Sequence, residues 1–331
     1  MVAAIEDDIY ATPNRFEGRA SSMHFIVTGG AGFIGSHLTE YLLAAGHAVT
    51  AVDDLSSGSR RNLPLHDRLQ LISKNVLECR PVDFSEPVDG IVHLAASPSV
   101  VRSWADPLPA HDNNLTATLA SLQLTQMLKI PRFVYASSAA VYGNPSQSPI
   151  AEDRPTIPIS PYGLQKLASE HYIRMFAEQY GFSAVVLRLF NVFGPRQLPT
   201  SPYSGVISIF AAAMNGGLPI TIFGDGCQTR DFMYVKEVAI ALTSALMTQM
   251  PARAHVICNI GTGTSISLLE SIDLLRPHFP NWQNEIVFAP ARTGDIRHSC
   301  PCIAKAAEVL GFVPQGSVRS SLETFIQSLK T

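Results

Sequence analysis

The sequence predicts an α/β fold: a doubly wound parallel sheet with helices on both faces. Three observations predict it. A buried strand, a glycine turn and an amphipathic helix follow one another within residues 24–46. Strand-like and helix-like segments then alternate as far as Phe190. The strand-like runs are short, apolar and rich in β-branched residues, as strands covered on both faces are.

The first strand is Phe25–Thr28, whose residues are all aromatic or β-branched. Gly29, Gly32 and Gly35 follow at three-residue intervals, and Phe33, Ile34, Leu38, Tyr41 and Leu42 recur at helical spacing. A second strand, Ala48–Val52, ends at Asp53, 18 residues after Gly35. A glycine triplet alone is a weak signal. Set between a strand and a helix, with an acidic residue at that distance, it reads as a dinucleotide-binding unit. The glycines let backbone N–H groups approach a pyrophosphate, the helix N-terminus adds partial positive charge, and Asp53 reads a ribose hydroxyl.

The alternation continues in order. Gly90–Ala95 is a central strand, Asn114–Lys129 a helix, and Arg132–Ser137 a further strand. Ser160-Pro161 opens a helix to about Tyr180, with serine suited to the N-cap and proline to the first helical position. Ala184–Phe190 is the next strand. Pro, Gly and Ser then crowd Pro195–Gly205, a loop long enough to bind something. Val206–Asn215 is a helix, Ile220–Phe223 a strand, Phe232–Met247 a helix, and Val256–Ile260 a strand returning to the sheet. Ser267–Leu275, Ile303–Leu310 and a terminal helix form a smaller cap. The expected division is an extension over 1–22, a first domain of 23–190 plus about 232–262, and a smaller, discontinuous one of about 191–231 plus 263–331. No linker separates the two domains, so a ligand cleft is expected between them.

Composition narrows the function classes. Net charge is −3 without a long basic run, which leaves nucleic acid and anionic membranes out as expected partners. No apolar run reaches the roughly 18 residues needed to span a bilayer, and residues 1–22 lack the apolar core of a secretory leader. The five cysteines, Cys79, Cys227, Cys258, Cys300 and Cys302, are odd in number, which points to reduced thiols in a cytoplasm. Cys300-Pro301-Cys302 has no matching Cys/His pair to complete a metal site, so no metal is expected.

The reactive residues are expected on the Ser160 helix. Tyr162 and Lys166 stand at i and i+4, on one helix face. A nearby ammonium favours the phenolate, so the Tyr162 phenol is expected below its usual pKa of about 10 and able to act as a general base. Ser137-Ser138 ends a strand, and strand ends of a parallel sheet face the ligand crevice. Ser138 is therefore expected to hydrogen-bond a reacting hydroxyl.

Taken together, these motifs resemble those of the extended short-chain dehydrogenase/reductases, in the NAD-dependent nucleotide-sugar epimerase/dehydratase group. T-G-G-A-G-F-I-G (28–35), H-L-A-A (93–96), S-S-A-A-V-Y-G (137–143), P-Y-G-L-Q-K (161–166), R-L-F-N-V-F-G-P-R-Q (188–197), G-D-G-x-x-T-R-D-F (224–232) and R-T-G-D (292–295) stand in family order, from about residue 23 onward. The resemblance implies a Rossmann-type sheet and NAD. Gly29, Gly32, Phe33, Ile34, Gly35 and Asp53 would hold its adenosine and pyrophosphate half. Asn75 and Val76 would lie at the adenine, and Ala95, Ala96 and Asn114 along the cofactor. Tyr162 would be the base, Lys166 would bind the nicotinamide ribose and tune Tyr162, and Ser138 would assist. Asn191, Val206, Arg230, Arg292 and Asp295 would grip a nucleotide diphosphate, with Ser99, Arg102 and Ser299 near the sugar. A homodimer through helices 114–129 and 161–180 is also implied.

Within the group, the dehydratase members carry Asp-Glu where this chain has Ala139-Ala140, and alanine transfers no protons. Uronate epimerases tend to carry Thr at the position of Asn191. The remaining resemblance is to UDP-hexose 4-epimerases, and Arg196–Ile207 and residues 294–299 are similar to enzymes of UDP-N-acetylhexosamines. Ser299 matches a gate position where a bulky Tyr in some relatives excludes the N-acetyl group. Three departures stand out. Asn75 replaces an Asp that reads adenine. Pro301-Cys302 replaces Ala-Asp before Lys305, which puts local helix capping in doubt. Arg60 and Arg61 could read the extra phosphate of NADP, although Asp53 would repel it, so NAD is favoured. A UDP-uronate epimerase, another nucleotide-sugar oxidoreductase and a non-catalytic binder of NAD or sugar nucleotides remain as alternatives.

Overall fold

The computed structural model describes residues 22–84, 87–197, 205–291 and 296–330. Residues 1–21 of the N-terminal extension lie outside that range. So do Arg292 and Asp295, both expected at the diphosphate.

Seven strands form one parallel sheet: β1 (His24–Thr28), β2 (Ala48–Val52), β3 (Leu69–Ile72), β4 (Gly90–His93), β5 (Arg132–Ser138), β6 (Ser183–Leu189) and β11 (His255–Ile260). Their order is β3-β2-β1-β4-β5-β6-β11. The order reverses between β1 and β4, which opens a crevice at their carboxyl ends. The glycine turn leaves β1 into that crevice, and Leu94–Ala96 leave β4 into it.

Helices cover both faces. On one, α1 (Phe33–Ala44) and α7 (Val235–Met247) pack over Phe25, Val27, Val49, Val134, Val185 and Leu187. On the other, α4 (Ala117–Met127) and α5 (Pro161–Tyr180) cover Ile26, Ile91, Phe133, Tyr135 and Val186. Alternate strand residues supply the two sets, as the period of two requires. Between β4 and α4 lie two short helices that the pattern did not predict, α2 (Val100–Ala105) and α3 (Pro107–His111). A π-helical stretch, Asp112–Thr116, joins them to α4. The helix predicted over 114–129 therefore begins in a π-bulge, a feature frequent at functional sites.

A third apolar cluster lies beyond the carboxyl ends of β6 and β11. It gathers Phe193, Phe210, Ile222, Phe232, Tyr234, Ile272, Trp282 and Phe325. Its helices are α6 (Val206–Asn215), α8 (Leu268–Leu275) and α10 (Val318–Lys330). Its strands are β7 (Asn191–Phe193) with β10 (Phe232–Tyr234), β8 (Ile220–Phe223) with β13 (Ile286–Ala289), and β9 (Thr229–Arg230) between β12 (Ile266–Ser267) and β14 (His298–Ser299). The helix predicted over Phe232–Met247 is thus a strand followed by a helix. Its apolar run is continuous, so periodicity could not separate the two. The helix α9 (Ala304–Leu310) starts at Ile303 without a side-chain cap, as the Pro301-Cys302 departure suggested. No helix among the described residues is long and apolar enough to cross a membrane.

Candidate active site

The glycine turn is built for close approach. Gly29 has φ +69°, and a Cβ there would lie 2.8 Å from the Ala95 nitrogen. The turn is thereby packed against the segment leaving β4. A Cβ on Gly35 would lie 2.0 Å from the Gly29 carbonyl oxygen, so α1 starts directly over the turn. Gly32 differs. Its φ is −78° and a Cβ would meet only that same oxygen, at 3.2 Å. Nothing inside the protein demands glycine there as it does at Gly35. Gly32 is the N-cap of α1, and no side chain caps that end. An uncapped helix start with a bare Cα in front of it fits a pyrophosphate. Phe33 and Ile34 are half-buried beside it.

This contrast gives a prediction. Gly35→Ala melts several degrees lower with or without added NAD, because the turn must shift. Gly32→Ala melts close to wild type but loses NAD affinity about tenfold or more. Melting curves and the NAD content of the purified protein check both; equal NAD retention in Gly32→Ala rejects the reading of the turn.

Asp53 closes the adenosine end. Its carboxylate accepts from the Ala31 and Leu55 nitrogens, each at 2.9 Å. Burial pushes the acid up and these bonds pull it down. Neither Arg60 nor Arg61 pairs with it, and the carboxylate itself fits a ribose hydroxyl better than a phosphate. Two of the residues expected at the adenine also serve the protein itself. The Asn75 carbonyl, expected to face adenine, accepts from Leu77 N at 3.0 Å, while its amide donates to Asp54 at 3.1 Å. The Val76 side chain lies in the core and is 5% exposed, so only its backbone is left for a ligand.

Tyr162, Ser138 and Lys166 come together at the carboxyl end of β5. Ser160 caps α5 by accepting from Gly163 N at 3.1 Å, and Ser103 on α2 accepts from Tyr162 N, also at 3.1 Å. A Cβ on Gly163 would lie 2.6 Å from the Ala140 carbonyl oxygen. That close packing seats Tyr162 against the turn after Ser138. Ser138 lies close enough to the Tyr162 phenol to lower its pKa. The Lys166 ammonium donates to the Ala136 carbonyl at 2.8 Å, lies 4.6 Å from the centre of the Tyr135 ring and 5.9 Å from that of Tyr162.

The expected electrostatics need correction. Burial pushes the Tyr162 phenol up, with the nearby Ser138 opposing it. Lys166 is pushed down to about 7 by burial, with the Glu170 charge opposing. Spacing predicted the pair but not its depth: in a dry site each group loses hydration before it gains a partner. Ala95, packed against Gly29, is half-buried, as is Ala96. Asn114 is held inside the protein. Its carbonyl accepts from Ser97 N at 2.8 Å and its amide donates to the Gln165 carbonyl at 2.7 Å. It ties the loop after β4 to α5.

The expected substrate residues fall in two places. Ser99 is 4% exposed and caps α2, accepting from Arg102 N at 3.0 Å, while Arg102 itself is exposed. Asn191 and Val206 are half-buried at the starts of β7 and α6. Ser299 is 6% exposed and stands opposite Arg230 in the β9–β14 pair. Sequence reading missed Ser137, Glu170 and Arg188, a buried hydrogen-bonded cluster behind Tyr162 and Lys166. It also missed Asp231, which accepts from Thr262 and Thr264 and is pushed up by burial to about 6.

Comparison with known proteins identifies the assembly. Residues 25–261 match the NAD dependent epimerase/dehydratase family. The chain belongs to that family. NAD is its cofactor, and the glycine turn, open α1 start and Asp53 fit that molecule. A putative UDP-glucose 4-epimerase of Methanocaldococcus jannaschii is 35% identical over 309 residues, 92% of this chain and 98% of its own length. The UDP-N-acetylglucosamine 4-epimerase of Methanobrevibacter ruminantium, solved with UDP-N-acetylmuramic acid, superposes with a TM-score of 0.88 at 34% identity, covering 94% of this chain and 99% of that one. The UDP-glucose 4-epimerase of Thermotoga maritima, solved with UDP-glucose, gives 0.87 at 34% identity, covering 93% and 99%.

Proposed function

We propose that this epimerase-family enzyme inverts C4 of a UDP-hexose, UDP-GlcNAc/UDP-GalNAc or UDP-Glc/UDP-Gal, through a transient 4-keto sugar. That the enzyme is an isomerase of UDP-sugars at C4 follows from its family and relatives; the sugar and the residue roles are our reading. The observation that carries it is the burial of Tyr162 beside Ser138, with the Lys166 ammonium one turn along, 5.9 Å from the Tyr162 ring and held to the end of β5.

Tyr162 takes the proton of the sugar 4-hydroxyl, and Ser138 holds that hydroxyl against the phenol oxygen. Lys166 opposes the negative charge on Tyr162 and holds the nicotinamide ribose. NAD, when bound, would supply the hydride acceptor and donor for C4. The ketone turns about its diphosphate link, and Tyr162 gives the proton back on the other face. Elimination of water is disfavoured, because Ala139 and Ala140 offer no acid or base. We assign Asn191, Val206, Arg230, Arg292 and Asp295 to the nucleotide diphosphate, with Arg230 and Arg292 suited to phosphate by their planar donor fork. Ser99, Arg102 and Ser299 border the hexose. The part built on the third apolar cluster, about 191–231 plus 263–331, is then the nucleotide-sugar-binding domain. Exposed Leu164, Tyr172 and Met175 on α5 and Met127 on α4 suit burial in a homodimer. Five free thiols fit a reducing cytoplasm.

The test is turnover of UDP-GlcNAc, UDP-Glc and UDP-glucuronate with the product sugars resolved and free NADH followed. C4 epimers without net NADH are expected; steady NADH release rejects the epimerase cycle. Ser299→Tyr is expected to slow UDP-GlcNAc by about tenfold or more and to spare UDP-Glc. Equal loss on both substrates removes Ser299 from the gate.

A further inference from the structure

Lys166 has an acidic neighbour on its own helix. Tyr162, Lys166 and Glu170 form a stripe at i, i+4 and i+8 on α5. The Glu170 carboxylate is 3% exposed and accepts three hydrogen bonds. Ser137 Oγ donates to Oε1 at 2.5 Å, Arg188 Nε to the same oxygen at 3.0 Å, and Arg188 Nη2 to Oε2 at 2.7 Å. Ser137 and Arg188 are direct partners across β5 and β6. Arg188 Nη1 also donates to the Tyr142 hydroxyl at 2.9 Å, and that hydroxyl to Asn259 Oδ1 at 2.7 Å. The carboxylate is therefore bonded to the residue preceding Ser138 and sits one turn from Lys166.

Stability is a weak reason to bury such a pair. Well-packed apolar residues of the same volume are often as stable or more so. The surroundings of Lys166 offer another reason. Tyr162 faces it from α5, the Tyr135 ring and the Ala136 carbonyl from β5, and His93 on β4 feels its charge. Burial keeps His93 neutral near pH 7, and the two phenols are pushed up by burial. Glu170 is the carboxylate that bears on the ammonium, with Arg188 on β6 fixing where that carboxylate points.

We propose that Glu170 is a positioning residue of the reaction: its charge keeps the Lys166 ammonium protonated beside Tyr162, and its bond to Ser137 fixes the strand end that carries Ser138. The proposal rests on the assignment of Tyr162 as base.

The test follows lysine ¹³Cε shifts of the NAD-free protein through a pH titration, together with the pH profile of kcat/KM. Glu170→Gln keeps the shape and removes the charge. The Lys166 midpoint, near neutral in wild type, is expected to fall by about one pH unit or more, and the alkaline limb of kcat/KM to move with it. Glu170→Asp keeps the charge, so the midpoint stays and kcat alone falls. An unmoved midpoint in a folded Glu170→Gln protein overturns the proposal. Should that variant not fold, Glu170→Met with Arg188→Leu removes both charges, and the same midpoint decides. Tyr162→Phe, run in parallel, separates the two readings: if it keeps full activity, the base assignment has failed, whatever Glu170 does.

Discussion

Replacing Tyr162 by Phe lowers turnover by about three orders of magnitude and leaves NAD bound. The figure follows from general base catalysis, which contributes about 10²–10⁴-fold. Phe removes one oxygen and keeps the ring, so the packing of α5 on the turn after Ser138 survives. Ser160 still caps the helix and Lys166 still donates to Ala136. None of the residues assigned to the adenosine half touches the lost hydroxyl, and the NAD content of the purified variant should match wild type. The product assay with resolved sugars reads the rate. Unchanged turnover overturns the base assignment. A fall in rate accompanied by loss of NAD would show instead that the phenol serves mainly to hold the cofactor.

The elements that the sequence made legible are those with a clear period or a clear punctuation mark. The glycine turn and the strands β2, β5 and β6 needed only local patterns, because buried parallel strands are β-branched runs and α5 opens on Ser-Pro. The short strands β9, β12 and β14 have two residues each, too few for any period to register. Their pairing nevertheless sets Ser299 beside Arg230. Within the site, i and i+4 spacing brought Tyr162 and Lys166 to one face but carried no information on burial. Burial is what moves both groups away from their ordinary values. Asn75 and Asn114 were expected at the cofactor from the family resemblance alone. The competing use was local: short polar side chains bond nearby backbone first. Asn75 caps the turn at Leu77, and Asn114 holds Ser97. Glu170 had a visible signal, since it extends the Tyr162–Lys166 stripe by one more turn. Ser137 and Arg188, its partners, lie on strands far from it in the chain.

Acidification from pH 7 to 4 is expected to remove about 4 kcal/mol of folding stability through three buried groups. His93 is 1% exposed and bonded to Thr28, Thr118 and Ser121, and burial lowers it to about 3. His37 on α1 is 5% exposed, bonds the Pro195 carbonyl at 3.1 Å and is lowered to about 4, chiefly by burial. Unfolded, each titrates near 6.5, so the unfolded chain binds more protons as pH falls. Their stabilisation is complete above pH 6.5 and drains away toward pH 4, at about 3 kcal/mol each. Asp231 runs the other way. Its acid is raised to about 6, so the folded chain takes up its proton first and gains about 2 kcal/mol over the same range. The histidines win, and a net loss of about 4 kcal/mol is a large part of the 5–15 kcal/mol that folded domains possess. Denaturant unfolding at a series of pH values measures the slope. His37→Gln keeps a donor for Pro195 but cannot be protonated, so its stability should fall by about 3 kcal/mol less than wild type between pH 7 and 4, whatever its value at pH 7. A slope identical to wild type would place the acid sensitivity elsewhere. His37 joins α1, which opens the dinucleotide site, to the loop after β7, and His93 ties β1 and β4 to α4 around the switch point. Protonating either would therefore loosen the walls of the crevice before the rest of the sheet.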